Sequence, residues 1–239
     1  MITLAFDTAT DRCTVAATDG VRVAHAVVDG SRRHAAAILG LIDATLREIG
    51  GGAPDVRRIV TGDGPGSFTG LRVAASVAKA LTWQRRVEWY VAPSLLVRAT
   101  AHVPAAGGVV LALSDALRGE LYAGCWRVDG QTIEQVGPAP RAVTPASLAE
   151  RRPFDVVVGS VPDALLDAVR TATGCEPVTG DAALPDARLL LGLVDKTGGA
   201  SRVADPFNWE PVYGRPAEAQ AVWERTHGME LPIAPGIAR

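Results

Sequence analysis

The stretch IVTGDGPGSFTGLRVAASVAKALTWQ, residues 59–84, decides how the rest of the chain is read. Ile59 and Val60 open it as an apolar strand, and Gly62-Asp63-Gly64-Pro65-Gly66 breaks that strand with a glycine-rich turn. Ser67 stands where a helix N-cap belongs, its hydroxyl free to accept from an amide one turn on. From there the pattern stays helical to about Trp83. Small residues (Gly70, Ala74, Ala75, Ala78, Ala80) crowd this helix and predict close approach of another helix, so that it is buried or paired. The glycines admit two readings. A tight strand-to-helix turn uses them for backbone geometry, whereas a phosphate site, on RNA or on a nucleotide at a protein junction, would use the amides of the helix N-terminus. The spacing is not that of a nucleotide-binding P-loop, because Thr69-Gly70-Leu71-Arg72 stands where such a loop carries Lys and Ser or Thr.

With 239 residues, 48% hydrophobic and 21% charged, the chain is long enough for two modest domains or one large one. Aromatic residues make up only 5%, so the core is aliphatic and alanine-based. A net charge of −2 excludes a surface that binds nucleic acid by charge alone. Cys13, Cys125 and Cys175 are far apart and form no C-x-x-C pair, which fits neither a zinc site nor a disulfide framework. They read as small buried hydrophobes in a reducing compartment. The N-terminus opens on a strand-like run with no basic n-region or h-region, and no apolar run reaches the length of a membrane span. The expectation is a cytoplasmic protein with no membrane association.

Outward from the central stretch, residues 2–6 form a strand that ends in Asp7-Thr8-Ala9-Thr10. Residues 13–18 and 21–28 form a hairpin around Asp19-Gly20. Ser31 caps a helix to Ile49. Its apolar set Ile38, Leu39, Ile42, Leu46 and Ile49 predicts one buried face, with Ala35, Leu41 and Thr45 off it. Gly50-Gly51-Gly52 stops that helix. A strand at 88–92 and a helix opened by Pro93-Ser94 and running to His102 complete a first half, which ends at Gly107-Gly108. The order then repeats. Strand 109–114 ends at Asp115, strands 120–128 and 131–136 flank Asp129-Gly130, and a helix follows at 145–150. Strand 155–158, a helix from Pro162, a short strand near Pro177-Val178 and a helix at 186–196 close the second half.

Both halves read β-β-β-α-β-α-β-α, each with an Asp ending its first strand. Three antiparallel strands followed by crossover units build a mixed sheet. Two such α/β units facing one another are the plan of the RNase H-like domains of the actin and Hsp70 ATPase superfamily. The expected organisation is two such domains, at residues 1–105 and 106–206, each a mixed five-stranded sheet covered by helices. A tail at 207–239 packs back on the first domain and is partly helical over 217–226. The cleft between the domains is the default ligand site.

Several strings carry a resemblance over essentially the whole length: LAFDTAT at 4–10, the helix of His34, GDGPGSFTGLRVAASVAKAL at 62–81, SDALRGELYAG at 114–124 and EPVYGRP at 210–216. In these the chain resembles the bacterial TsaB (YeaZ) family. The resemblance implies a part in making threonylcarbamoyladenosine at position 37 of tRNA. It implies a non-catalytic dimerisation subunit with no catalytic residue of its own, paired with the catalytic paralogue TsaD and joined by the ATPase TsaE. It further implies that tRNA is reached through the complex, that the isolated protein can pair with itself as a homodimer, and that the chain itself needs no cofactor. ATP or ADP with Mg²⁺ belongs, on this resemblance, at the junction with TsaD. The partner-binding helices would be residues 31–49 and 67–83, with Ala35, Leu41, Gly70, Arg72, Ala74, Ala78 and Leu81 among the contacts and Lys79 near the rim.

Departures from the family pattern carry their own expectations. The catalytic paralogue holds its metal through His-x-x-x-His. Here residues 91–100 contain no histidine, and His25, His34, His102 and His227 never lie four apart, so no helical two-histidine site is expected. The ATPases carry glycine where Ala9 stands, and a pair of glycines where Gly159 stands alone. Asp7 and Asp115 remain as cofactor-binding candidates that could hold Mg²⁺ through water; alternatively they end strands and bond to loop amides. Gly214 replaces the family's leucine and removes an apolar anchor for the tail. Two rival functions stand beside the resemblance: a nucleotide-binding or nucleotide-hydrolysing enzyme of the same fold, and a metallopeptidase, for which no ligand spacing exists.

Overall fold

In a computed structural model, strand β1 (Ile2–Asp7) is buried along its whole length and pairs on both edges. The structure describes residues 1–30, 33–83, 86–151, 153–215 and 226–229. β1 is apolar at Ile2, Leu4, Ala5 and Phe6 because a central strand is covered on both faces. It runs antiparallel to β2 (Arg12–Thr18), which pairs with the edge strand β3 (Val23–Asp29), and parallel to β4 (Val56–Gly62). β5 (Glu88–Ala92) extends the sheet parallel to β4, and the two-residue β11 (Ser201–Arg202) closes it antiparallel to β5. The order is β11-β5-β4-β1-β2-β3.

The second sheet repeats this plan with β10 (Val156–Ser160), β6 (Gly108–Asp115), β7 (Leu121–Asp129) and β8 (Thr132–Gln135), and β9 (Arg141–Val143) also pairs with β7. The two mixed sheets confirm the α/β class with two helix-covered mixed sheets, but the strand membership differs from the expected five and five. The first sheet gains β11. In the second, the strand expected near Pro177-Val178 is a single bridge from Val178 to Val158. Pro177 has no N–H to extend that ladder.

α1 (His34–Glu48) packs on β2 and β3, and α2 (Phe68–Thr82) packs on β4, β1 and β5. The two helices lie side by side on the outer face of the first sheet. α3 (Ser94–Ala101) crosses to β6 and β7 of the second sheet, and α5 (Ala187–Leu193) crosses to β1 and β2 of the first. These two helices fill the space between the sheets, so Leu95, Leu96, Leu190 and Leu193 share one core with Ala5 and Val60 on one side and Val110 and Ala112 on the other. α4 (Asp163–Thr173) and a short 3-10 helix at Pro145–Arg151 cover the far face of the second sheet.

Ser67 caps α2 as its position predicts, its hydroxyl accepting from Gly70 N at 3.2 Å. The small residues of α2 have a local reason. A Cβ on Gly70 would collide with the Thr8 carbonyl, and Ala74 and Ala78 are buried against the chain's own strands. α1 begins at His34; the expected cap Ser31 lies outside the described residues, as does nearly all of the tail helix expected at 217–226.

Candidate partner-docking face and the cleft behind it

Asp7 ends β1 fully buried, and its Oδ1 accepts from Ala9 N at 2.6 Å. The Ser94 hydroxyl lies beside Oδ2; it accepts from Gly64 N at 3.2 Å and keeps its own O–H free to turn toward the carboxylate. Burial raises the Asp7 pKa above the usual carboxylate range, against the opposing pull of the Ala9 amide, Ser94, Arg98 and His34. Arg98 is also buried. Its Nη1 donates to the Leu113 carbonyl at 2.7 Å, its Nη2 has no partner, and burial pulls its pKa down to about 10 despite the charge of Asp7. Burial and the charge of Asp7 together push the Asp63 carboxyl up to about 7.

Asp115 is in a different environment. It is exposed, and its Oδ1 accepts from Leu117 N at 2.7 Å, a turn-closing contact. Among the described residues no group of three or more His, Cys, Asp or Glu is arranged to hold a metal ion.

The loop after β1 is closed by α2. Ser67 N donates to the Ala9 carbonyl at 2.7 Å, and Thr8 Oγ1 donates to the Gly70 carbonyl at 2.7 Å. Thr8 and Ala9 are buried as a result. A phosphate set against this loop would have to displace the first turn of α2, so residues 7–10 do not fit a nucleotide phosphate. The glycine-rich turn serves backbone packing.

An open concavity among the described residues lies on the outer face. A shallow groove of about 500 Å³ runs between α1 and α2, lined by Ala35, Ile38 and Leu39 on one side and by Phe68, Arg72, Val73 and Val77 on the other. Leu39 is 65% exposed and Phe68 42% exposed. Of the expected contact residues, Ala35 and Arg72 lie in this groove. Leu41 and Leu81 are half-buried against the chain's own core, Ala74 and Ala78 face inward onto that core, and Gly70 is buried against the Thr8 carbonyl. Two further expectations are corrected on α1. Leu39, read as part of the buried face, points to solvent, and Thr45, read as off that face, is buried with its hydroxyl bonded to the Leu41 carbonyl at 2.7 Å. The sequence reading missed Phe68, Val73 and Val77. Their spacing of four and five along α2 was the available signal.

Residues 205–215 form a strap along α2. Trp209 packs edge-on against the buried Trp89 at 4.5 Å, Lys79 Nζ donates to the Phe207 carbonyl at 3.0 Å, and Val212 N donates to the Asp63 carbonyl at 2.8 Å. The strap then crosses to the second sheet, where Arg215 pairs with Glu120 at 3.0 Å and lies over the Tyr122 ring. Gly214 is no lost anchor. Its φ is +71°, and a Cβ there would collide with Pro65 and Tyr122.

Comparison with known proteins matches residues 26–149 to the family model described as TsaD: tRNA N6-adenosine threonylcarbamoyltransferase. The chain is 29% identical over 234 residues to the tRNA threonylcarbamoyladenosine biosynthesis protein TsaB of Escherichia coli (strain K12), covering 95% of this chain and 99% of that one. It is 26% identical over 195 residues to the protein of the same name from Bacillus subtilis (strain 168), covering 80% and 84%. Among solved structures, a Pseudomonas aeruginosa protein described as having similarity to peptidase YEAZ superposes with a TM-score of 0.72 at 27% identity, over 90% of this chain and 99% of the other.

Proposed function

The chain belongs to the TsaD-type family, in its TsaB (YeaZ) branch, and from that premise we propose that it is the non-catalytic dimerisation subunit of the complex that transfers threonylcarbamoyl to adenosine 37 of tRNA. In this reading TsaD carries out the transfer, and this chain docks on it through the groove between α1 and α2. The observation that carries the reading is an open apolar groove on a chain whose own loop is shut. Residues 7–10 have no room for a phosphate, whereas Leu39 and Phe68 stand in solvent on a contiguous apolar face. Exposed apolar grooves of this kind mark protein contacts.

TsaE joins the same complex, and the isolated chain pairs with itself through the same face. Transfer RNA is reached through the complex, since a net charge of −2 supplies little of the phosphate neutralisation that independent binding needs. The chain needs no cofactor of its own, and any ATP or ADP with Mg²⁺ is held at the junction with TsaD. The complex works in the cytoplasm; among the described residues no helix is long and apolar enough to cross a membrane.

The test is a reconstituted transfer reaction with TsaD, TsaE and the threonylcarbamoyl-adenylate synthase, run with and without this chain. A parallel arm uses the double variant Asp7→Ala, Asp115→Ala. Loss of product on omission and its return with the double variant support the scaffold. A double variant that folds and binds TsaD yet restores no product overturns it in favour of chemistry in this chain's own cleft, the nucleotide-hydrolysing reading.

A further inference from the structure

Phe68 is the first residue of α2 and stands 42% exposed at the mouth of the groove. No earlier helical turn confines its ring. Two groups do so instead. The Arg72 guanidinium lies over the ring at 4.3 Å, and the Tyr213 ring, from the strap, packs against it with centroids 4.8 Å apart. Arg72 Nε also points to the Tyr213 hydroxyl at 3.4 Å, and that hydroxyl donates to Glu210 at 3.3 Å. Glu210 in turn faces Lys79 Nζ at 3.7 Å. The strap backbone that presents Tyr213 is fixed before it by Trp209 on Trp89 and by Val212 N on the Asp63 carbonyl, and after it by the Gly214 carbonyl, which accepts from Ala142 N at 3.2 Å. Tyr213 does not line the groove, but Phe68 and Arg72, two of the side chains it touches, do.

We infer that Tyr213 is a positioning residue for the docking face, holding Phe68 and Arg72 in the geometry that a protein partner meets. The inference rests on the docking reading above. The physical basis is preorganisation. A large side chain already ordered in the free protein loses less freedom on binding, so affinity rises without a new contact. Arg72 also keeps its guanidinium stacked on Phe68 rather than extended into solvent, which leaves the groove mouth apolar with its charge at the edge.

The experiment measures the affinity of the full chain for TsaD by titration calorimetry, for wild type, Tyr213→Ala, Tyr213→Phe, Phe68→Ala and the Phe68→Ala/Tyr213→Ala double variant. Leu39→Asp serves as a direct test of the groove. The expected result is a loss on the order of tenfold for Tyr213→Ala, most of it restored by Tyr213→Phe, which keeps the ring. The double variant binds no more weakly than Phe68→Ala alone, because Tyr213 acts through that ring. Should Tyr213→Ala unfold, Tyr213→Leu replaces it, keeping apolar bulk without the ring. Wild-type affinity in the Tyr213 variant, or losses that simply add, overturns the inference while Leu39→Asp still abolishes binding. Unchanged binding by Leu39→Asp overturns the docking reading itself.

Discussion

The backbone amide of Ser67 donates to the carbonyl of Ala9 across 2.7 Å, which seats the first turn of α2 on the loop leaving β1. Gly70 completes the seat, because its Cα approaches the Thr8 carbonyl where a Cβ would not fit. Gly70→Ala therefore separates two opposed effects. Helix propensity alone favours alanine by about 1 kcal/mol. Overpacking against a buried carbonyl costs about 1–3 kcal/mol. The packing cost governs, so urea denaturation of Gly70→Ala should give a lower midpoint than wild type. A higher midpoint would mean that the α2 turn does not rest on the loop.

Leu39 and Phe68 face one another across the groove from different helices, and both are solvated in the single chain. A charge at Leu39 meets little of the chain's own core. Leu39→Asp should leave unfolding free energy within about 0.5 kcal/mol of wild type. Partner binding should fall at least tenfold, on the order of what desolvating an unpaired carboxylate at the centre of an interface costs. Calorimetric titration beside a thermal melt checks both halves. A variant that melts early without losing affinity would show that Leu39 serves the fold.

Local chemistry was legible in the sequence and face selection was not. The Ser67 cap, the Asp19-Gly20 and Asp129-Gly130 turns and the repeated run of three antiparallel strands beside a parallel one depend on neighbouring residues and appear in the fold, whereas the last strand expected in the second half does not form. On α1 the apolar positions cover more than one side. Spacing then gives the axis of the buried stripe but not its width, so Leu39, one step from buried Ile38, falls on the wrong side of the boundary and Thr45 on the other. β11 and the strap are set by contacts far along the chain: Ser201 on Val91, Trp209 on Trp89 and Val212 on Asp63. Periodicity carries no sign of them. The groove was half legible for the same reason: Ala35 and Arg72 were found, while Phe68 needed the structure to show that its ring turns outward.

Asp63 makes stability depend on pH. Its carboxyl is pushed from the usual value of 3.8 up to about 7, by burial and then by the charge of Asp7. The folded chain therefore keeps a proton that the unfolded chain has released, and this group's contribution to stability falls as pH rises from about 4 to about 7. Asp63→Asn removes this group's share of the decline and leaves that of Asp7, whose carboxyl pKa burial also raises. A tenfold change in proton affinity corresponds to about 1.4 kcal/mol before solvent screening. Asp63 is only half-buried, so screening takes a large share, and the variant should gain roughly 1–2 kcal/mol at pH 8 and little at pH 4. Urea melts of both proteins across that range decide it. Parallel pH profiles for the two would remove Asp63 as the cause.

Gly214 tests the strap as a connection between the two sheets. Its carbonyl accepts from Ala142 N at 3.2 Å, its φ of +71° suits glycine, and the ring of Tyr122 and the Pro65 side chain close over its Cα. Gly214→Leu adds a Cβ in a backbone conformation that leucine rarely adopts and drives it into both neighbours. The left-handed conformation alone costs about 1–2 kcal/mol for a non-glycine residue, and overpacking adds about 1–3 kcal/mol. That exceeds what the peripheral contacts of Val212, Tyr213 and Arg215 can hold, so the strap should lift while both sheets keep their cores. Limited chymotryptic digestion should then cut after Phe207, Trp209 or Tyr213 several-fold faster than in wild type, with the far-ultraviolet circular dichroism unchanged. Lifting the strap also frees Phe68, so the same variant should bind TsaD as weakly as Tyr213→Ala does. Fast cleavage with wild-type affinity would show that the strap is seated at Gly214 but does not order the docking face.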